Sequence, residues 1–297
     1  MDARTDLTAV IPAAGLGTRM VPATKEAPKE MLPLPQSGEG GLVFKPFLQI
    51  VFENLYDAGV RVFVFVVGRG KRIIQDHFIV DWSFHDLLIS KGKEREARSL
   101  ARFYEKVEDS TIIWVDQPSP KGLGDAVLRG LKAVSTEKVL VHLGDVSVYT
   151  PDRRPVVESF VKAARKVEGE CGNIIHTIEV EDPRRYGVIM PGSEWRPTGV
   201  RAAQWYARIR GLIEKPSTPP SNYAVSGMYY FATESIMAAL ENAGANDSTG
   251  EVELTDALVL LAEKGELCAV LSQPAVFVDI GTPSLYLEAI RFFSQNP

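Results

Sequence analysis

Three cations follow closely behind a turn of small residues: Arg19, Lys25 and Lys29 come after Ala13-Ala14-Gly15-Leu16-Gly17-Thr18. Gly15 and Gly17 permit the positive φ that turns successive N–H groups toward an anion, and their small neighbours let a ligand approach the main chain. Arginine offers a fork of donors to phosphate oxygens, and lysine supplies a compact charge. The combination suits a triphosphate. Two better-known glycine patterns do not apply. A dinucleotide fingerprint needs a third glycine where Met20 stands, and a Walker A loop needs Lys-Ser/Thr where Thr18-Arg19 stands. Pro22, Pro28 and Pro33 argue against a helix here, so a fixed, extended loop is expected beside the turn.

Two carboxylates have matching positions. Asp145 follows the apolar stretch Val139 to Leu143, and Asp279 follows Val276-Phe277-Val278. A hard cation such as Mg²⁺ takes few protein carboxylates and keeps phosphate oxygens and waters as its other ligands, so one or two aspartates suffice. Thr282 can cap the next helix, with Pro283 at its first position.

These side chains need a frame that presents them at one edge. Leu7 to Ile11, Val60 to Val67, Thr111 to Val115 and Lys138 to Leu143 are predicted strands. Between them, Pro46 to Ala58, Lys71 to Phe78, most of 81 to 110, and Gly124 to Val134 carry helical spacing. That alternation implies a parallel sheet with helices on both faces, whose ligands bind at the carboxyl ends of the strands. The second half reads differently. Asn173 to Val180, Gly187 to Met190, Trp205 to Glu214 and Val225 to Phe231 are predicted strands with few helices between them. Helices return at Glu234 to Asn242, Glu253 to Lys264 and Pro283 to Phe293, while Pro191 to Thr198 and Pro216 to Pro220 read as loops. The expectation is α/β: one domain over 1–297, with a Rossmann-like mixed, mostly parallel sheet and a strand-rich extension from about residue 151.

The 297 residues are 45% hydrophobic with a net charge of -5, so no global basic field recruits nucleic acid or anionic lipid. Cys171 and Cys268 fit no metal spacing and are expected to be free buried thiols in a reducing cytosol. The charged start, Met1 to Asp6, is unlike a signal peptide, and the apolar run Val62 to Val67 is too short to span a bilayer. A cytoplasmic protein is expected. Of the four histidines (His77, His85, His142, His176), none lies in the candidate loops, and His142 reads as a satisfied strand residue.

Ala9 to Arg19 resembles the opening motif of the bacterial and archaeal UTP–glucose-1-phosphate uridylyltransferases, and Pro28-Lys29-Glu30-Met31-Leu32-Pro33-Leu34 is the more discriminating piece. Further matches run along nearly the whole chain: Gly68-Arg69-Gly70-Lys71-Arg72, Asp76-His77-Phe78, Gln117, Lys121-Gly122-Leu123-Gly124, Gly144-Asp145, Tyr186-Gly187-Val188-Ile189, Ile213-Glu214-Lys215-Pro216 and Glu253 to Ala257. The resemblance implies the nucleotide-diphospho-sugar transferase fold, with about 1–150 holding the nucleotide and about 151–297 the sugar phosphate. It implies nucleotide contacts from Ala13, Ala14, Gly15, Gly17, Thr18, Glu30, Gln117 and Gly122, the last two reading the base. A glutamine amide can both donate to and accept from a pyrimidine edge. It places Gly187, Glu214 and Lys215 on the sugar phosphate and Mg²⁺ on Asp145, with Asp279 as second ligand. Homo-oligomers, dimers or tetramers, are expected by family analogy.

On this reading UTP and glucose 1-phosphate give UDP-glucose and pyrophosphate by direct in-line attack. The sugar phosphate is already an anionic nucleophile and needs no general base. Arg19, Lys29, Asp145 and Lys215 would carry the reaction by positioning and charge stabilisation. Three positions depart from the family pattern: Asp125, where histidine is usual, Phe44, where an acid is usual, and Met228, where arginine is common. They leave the base and sugar more open than the reaction. A glucose-1-phosphate thymidylyltransferase and a non-catalytic sugar-nucleotide-binding regulatory homologue are the alternatives.

Overall fold

The computed structural model describes residues 7–38, 41–246 and 250–294. Met1 to Asp6, whose charge argued against a leader, lie outside the described residues. Strand β1 (Leu7–Ala13) leads into the glycine turn, and a hairpin of β2 (Pro33–Gly38) and β3 (Gly41–Pro46) follows. Next come α1 (Phe47–Asp57), β4 (Val62–Gly68), α2 (Arg72–His77), α3 (Trp82–Ser90), α4 (Glu94–Glu108), β5 (Thr111–Gln117), α5 (Leu123–Leu131) and β6 (Lys138–His142). The chain continues through β7 (Val146–Tyr149), α6 (Val157–Cys171), β8 (Asn173–Glu179), β9 (Gly187–Pro191), β10 (Arg196–Pro197), β11 (Trp205–Glu214) and β12 (Tyr223–Ala232). It closes with α7 (Thr233–Ala243), α8 (Leu254–Glu263), β13 (Leu267–Ser272), β14 (Val276–Asp279) and α9 (Pro283–Ser294).

One large sheet runs in the order β10-β11-β13-β8-β12-β6-β1-β4-β5, with β9 bridging β11 and β12. β1 is buried along its whole length because it lies between β6 and β4, both parallel to it. Ile11, Phe63 and Phe65 face one core, and Val10, Val64 and Val66 face the other, as strand alternation requires. The expected α/β class and mixed sheet are found, but "mostly parallel" is corrected. Parallel pairing joins β6-β1-β4-β5 and β8-β13, and the other six pairings of this sheet are antiparallel. Each of these antiparallel pairs involves β11 or β12.

The thiol expectation is also overturned. Cys171, the last residue of α6, is disulfide-bonded to Cys268 in β13, although 97 residues separate them in sequence. Helix α6 packs across β8 and β13, and so brings its end to that strand. The loop after the glycine turn is not extended throughout: it holds two short 3₁₀ turns, Thr18–Met20 and Lys29–Met31. Arg196–Pro197, expected as loop, is a two-residue strand. Among the described residues no helix is long and apolar enough to cross a membrane.

Candidate active site

The carboxyl ends of β1, β5 and β6 open on a cavity of about 380 Å³. It is lined by Ala14, Gly15, Gly17, Thr18, Lys29, Glu30, Gln117, Gly122 and Asp145, among others. A second cavity, of about 260 Å³, is lined by Arg19, Gly187, Glu214, Lys215, Asp145 and Asp279. Asp145 borders both. The structure thus brings every expected site residue but one to these two adjoining spaces; Ala13, at the end of β1, is buried and lines neither. Lys25 is not among them; it is exposed and paired with Glu26.

The glycine turn is pinned from below. Gly17 takes φ 64°, a left-handed conformation that favours glycine, and its carbonyl accepts from Thr24 Oγ1 at 2.7 Å. The Lys71 ammonium is buried and donates to Ala13 O at 2.6 Å and to both Glu30 oxygens at 3.1 and 3.3 Å. Burial pushes Glu30 up and Lys71 down, and each charge offsets the other's shift. Lys71 thus anchors the loop, a role its place in Gly68-Arg69-Gly70-Lys71-Arg72 does not reveal. The signal available was a lysine following the end of an otherwise apolar parallel strand.

Asp145 and Asp279 meet because β14 pairs antiparallel with β7, setting Asp279 opposite Val146. Ile280 N–H donates to Asp145 O at 3.2 Å, and Gly281 N–H donates to Asp279 Oδ1 at 2.6 Å. A Cβ on Gly281 would stand 3.0 Å from the Arg19 guanidinium, so the glycine lets Arg19 lie against this carboxylate pair. Lys29 Nζ donates to Asp145 Oδ2. Burial works to lower the Lys29 ammonium, but Asp145 beside it more than offsets this and holds it above its ordinary value. Asp279 is pushed up, first by burial and then by the Asp145 charge. His142 stays outside this chemistry: its Nδ1 donates to Leu143 O at 2.8 Å, and burial lowers it to about 4.

In the second cavity, Glu214 pairs with Gly187 across β11 and β9, and its Oε2 accepts from Thr255 Oγ1 at 3.1 Å. Lys215 has φ 44°, an unfavourable value for a residue with a Cβ. Its N–H donates to Tyr186 O at 3.0 Å, which holds it there. The side chain is 62% exposed and pairs with Glu214 at 2.8 Å, so its charge is available to a ligand at the cavity mouth. Such strain concentrates where a side chain must be aimed.

Gln117 is buried, and its amide nitrogen donates to Gly122 O at 3.1 Å and Asp125 Oδ2 at 2.8 Å. The expectation that it both donates to and accepts from a base is corrected: its two N–H groups are spent inside the chain. Asp125 Oδ2 also accepts from Arg129 Nε at 2.7 Å. Burial works to raise Asp125, and the bonds from Arg129 and Gln117 hold it below the usual carboxylate value.

A glycine turn at a strand end, cations on either side and a shared carboxylate pair suit the handling of phosphate esters. The comparisons with known proteins give the family. A model described as nucleotidyl transferase matches residues 8–296. A Bacillus subtilis (strain 168) protein named UTP–glucose-1-phosphate uridylyltransferase is 36% identical over 86% of this chain and 80% of its own length. A Pseudomonas aeruginosa protein of the same name is 31% identical over 97% of this chain and 95% of its own. Among solved structures, apo UDP-glucose pyrophosphorylase superposes with TM-score 0.82 at 29% identity, covering 97% of this chain and 98% of that one. UTP-bound UGPase from Acinetobacter baumannii gives TM-score 0.80 at 27% identity, covering 98% and 94%. The chain belongs to the nucleotidyl transferase family, among the UTP–glucose-1-phosphate uridylyltransferases.

Proposed function

We propose that the chain transfers the uridylyl group of UTP to glucose 1-phosphate, giving UDP-glucose and pyrophosphate. The observation that carries this is the position of Asp145 on the border of two cavities, one edged by the glycine turn and one by Lys215. A nucleoside triphosphate in the first and a sugar phosphate in the second would meet there.

The sugar 1-phosphate supplies its own anionic oxygen, so the work of the chain is alignment and charge control. Lys215 would hold the attacking phosphate and Glu214 the sugar hydroxyls, with Gly187 giving the ring close access. The turn at Ala13 to Gly15, with Gly17 and Thr18, would seat the triphosphate. Gln117 and Gly122 would read the base, and Glu30 would brace the turn through Lys71. Arg19 and Lys29 would stabilise charge moving onto departing pyrophosphate. No covalent enzyme intermediate is needed.

The residues present fit a magnesium ion. Asp145 carries the Lys29 ammonium as a stand-in cation, and Asp279 is raised partly by the neighbouring carboxylate, a repulsion that a divalent cation would cancel. Asp145 and Asp279 would hold it, and it would supply Lewis-acid charge at the phosphate oxygens. We read the chain as one domain, since the large sheet passes through both halves.

The test is a panel of nucleoside triphosphates and sugar 1-phosphates read by pyrophosphate release, with Asp145→Ala as control. UTP with glucose 1-phosphate is expected to be the preferred pair. Equal use of dTTP would make the assignment too narrow, and silence with every pair would favour a regulatory homologue.

A further inference from the structure

The amide of Gln117 cannot be turned over without cost. Its nitrogen faces two acceptors, Gly122 O at 3.1 Å and Asp125 Oδ2 at 2.8 Å. Turning the amide would set its oxygen against both, leaving three acceptors together and no proton between them. The Gly122 carbonyl is itself fixed. Gly122 takes φ 92°, a Cβ there would stand 2.5 Å from Val252 O, and Val252 N–H donates to Lys121 O at 2.8 Å. Asp125 sits in the first turn of α5, where a negative charge is favoured, and Arg129 one turn on holds the same carboxylate oxygen at 2.7 Å. The side chain of Asp125 is only 15% exposed, so water competes poorly for it.

With both N–H groups committed, Gln117 can offer a ligand only its carbonyl oxygen. Gln117 lines the cavity bordered by the glycine turn. No bond to its oxygen comes from the described residues, and that oxygen is not among their fully buried side-chain atoms lacking a partner, so it remains accessible. We infer that Asp125 is a positioning residue for base selection: it fixes the Gln117 amide with its oxygen outward, so the site takes a ring with an N–H at the pairing edge. Uracil and thymine carry a proton on N3. Cytosine carries a lone pair there and meets Gln117 acceptor to acceptor. A site built on an unpaired acceptor rejects a ring that cannot donate more strongly than one built on shape alone. Asp125 therefore does more than replace the histidine usual in the family at this position. This rests on Gln117 reading the base.

The experiment measures kcat/KM for UTP and for CTP with glucose 1-phosphate, in the intact chain and in Asp125→Ala, Asp125→Asn, Arg129→Ala and Gln117→Ala, with melting temperatures alongside. Asp125→Ala is expected to lower the UTP-to-CTP ratio at least tenfold, through KM for UTP far more than through kcat. Asp125→Asn keeps an acceptor oxygen for the amide and is expected to retain the ratio within about threefold. Arg129→Ala is expected to lower the melting temperature as Asp125→Ala does while sparing the ratio. Equal losses of ratio in Arg129→Ala and Asp125→Ala would reduce Asp125 to a helix-packing role and overturn the inference. If Gln117→Ala collapses the ratio and Asp125→Ala leaves it intact, Gln117 reads the base without Asp125. If Gln117→Ala also leaves it intact, the base-reading assignment fails first and the inference with it.

Discussion

Asp145 and Asp279 lie side by side although 134 residues separate their numbers, because β14 lays Asp279 opposite Val146 and Ile280 N–H reaches back to Asp145 O. If the pair works as one cation-holding unit, its members are not independent. Asp145→Asn is expected to lower kcat by about 10²-fold or more, and Asp279→Asn by about 10-fold or more. The double variant should be little worse than Asp145→Asn alone, since removing either partner breaks the unit. Losses that multiply cleanly in the double variant would place the two aspartates in separate roles.

Lys215 combines a useful charge with an unfavourable backbone. Its φ of 44° costs on the order of 1 kcal/mol for a side chain with a Cβ, and glycine removes that cost at an entropic penalty of similar size. Lys215→Gly is therefore expected to melt at or above the temperature of the parent chain while KM for glucose 1-phosphate rises at least tenfold. Thermal melts and steady-state kinetics on the same sample check this. A sharp drop in melting temperature would show that the side chain supports the fold.

The Lys71 ammonium holds the glycine turn through Ala13 O and balances the buried Glu30 carboxylate. Lys71→Met leaves that carboxylate without its partner and is expected to cost about 3–5 kcal/mol. Lys71→Met with Glu30→Gln removes the stranded charge and is expected to recover much of the stability, though not the hold on Ala13 O. Urea titration distinguishes the two, and a double variant as unstable as the single one would show that the carboxylate was never the problem.

His176 sits buried between Ser226 Oγ at 2.7 Å and Ser272 Oγ at 2.8 Å, and burial lowers it to about 3. The folded imidazole stays neutral while the unfolded one takes a proton near its ordinary value. The unfolded chain thus binds more protons below about pH 6.5, and stability falls with falling pH from there to the folded value. His142, lowered to about 4, adds to the same loss. Each contributes on the order of 3 kcal/mol between neutral pH and pH 4. Urea unfolding at stepped pH should show a plateau above pH 7 and this decline beneath it, smaller in a His176→Gln variant.

The part of the fold legible in the sequence is the part with strong local signals. β1 and β4 are apolar runs covered on both faces, and α1 carries plain amphipathic spacing, so each is legible within a few residues, whereas α3 and α4 read only as one mostly helical stretch over 81–110. The pieces missed were short or depended on distant partners. β7 is four residues long and its partner strand, β14, lies about 130 residues on, so nothing near Asp145 in sequence announces the neighbour that completes the site. The β2–β3 hairpin is broken up by prolines and does not look like sheet. α6 was legible and overlooked: Val157, Phe160, Val161, Ala164, Val167 and Cys171 are buried at helical spacing. The disulfide joins residues too far apart for spacing to suggest it. The candidate site residues could be named from the motif letters, whereas the direction of the Gln117 amide required the positions of Gly122 and Asp125 around it.

The central claim is that two substrates meet at Asp145 and exchange a uridylyl group in one displacement. The most direct measurement is the configuration at the α-phosphorus when a single diastereomer of UTP carrying sulfur on that phosphorus reacts with glucose 1-phosphate. One in-line attack turns the centre over, so the product should show inversion. Retention would mean two successive displacements through a group on the enzyme, and would contradict the account.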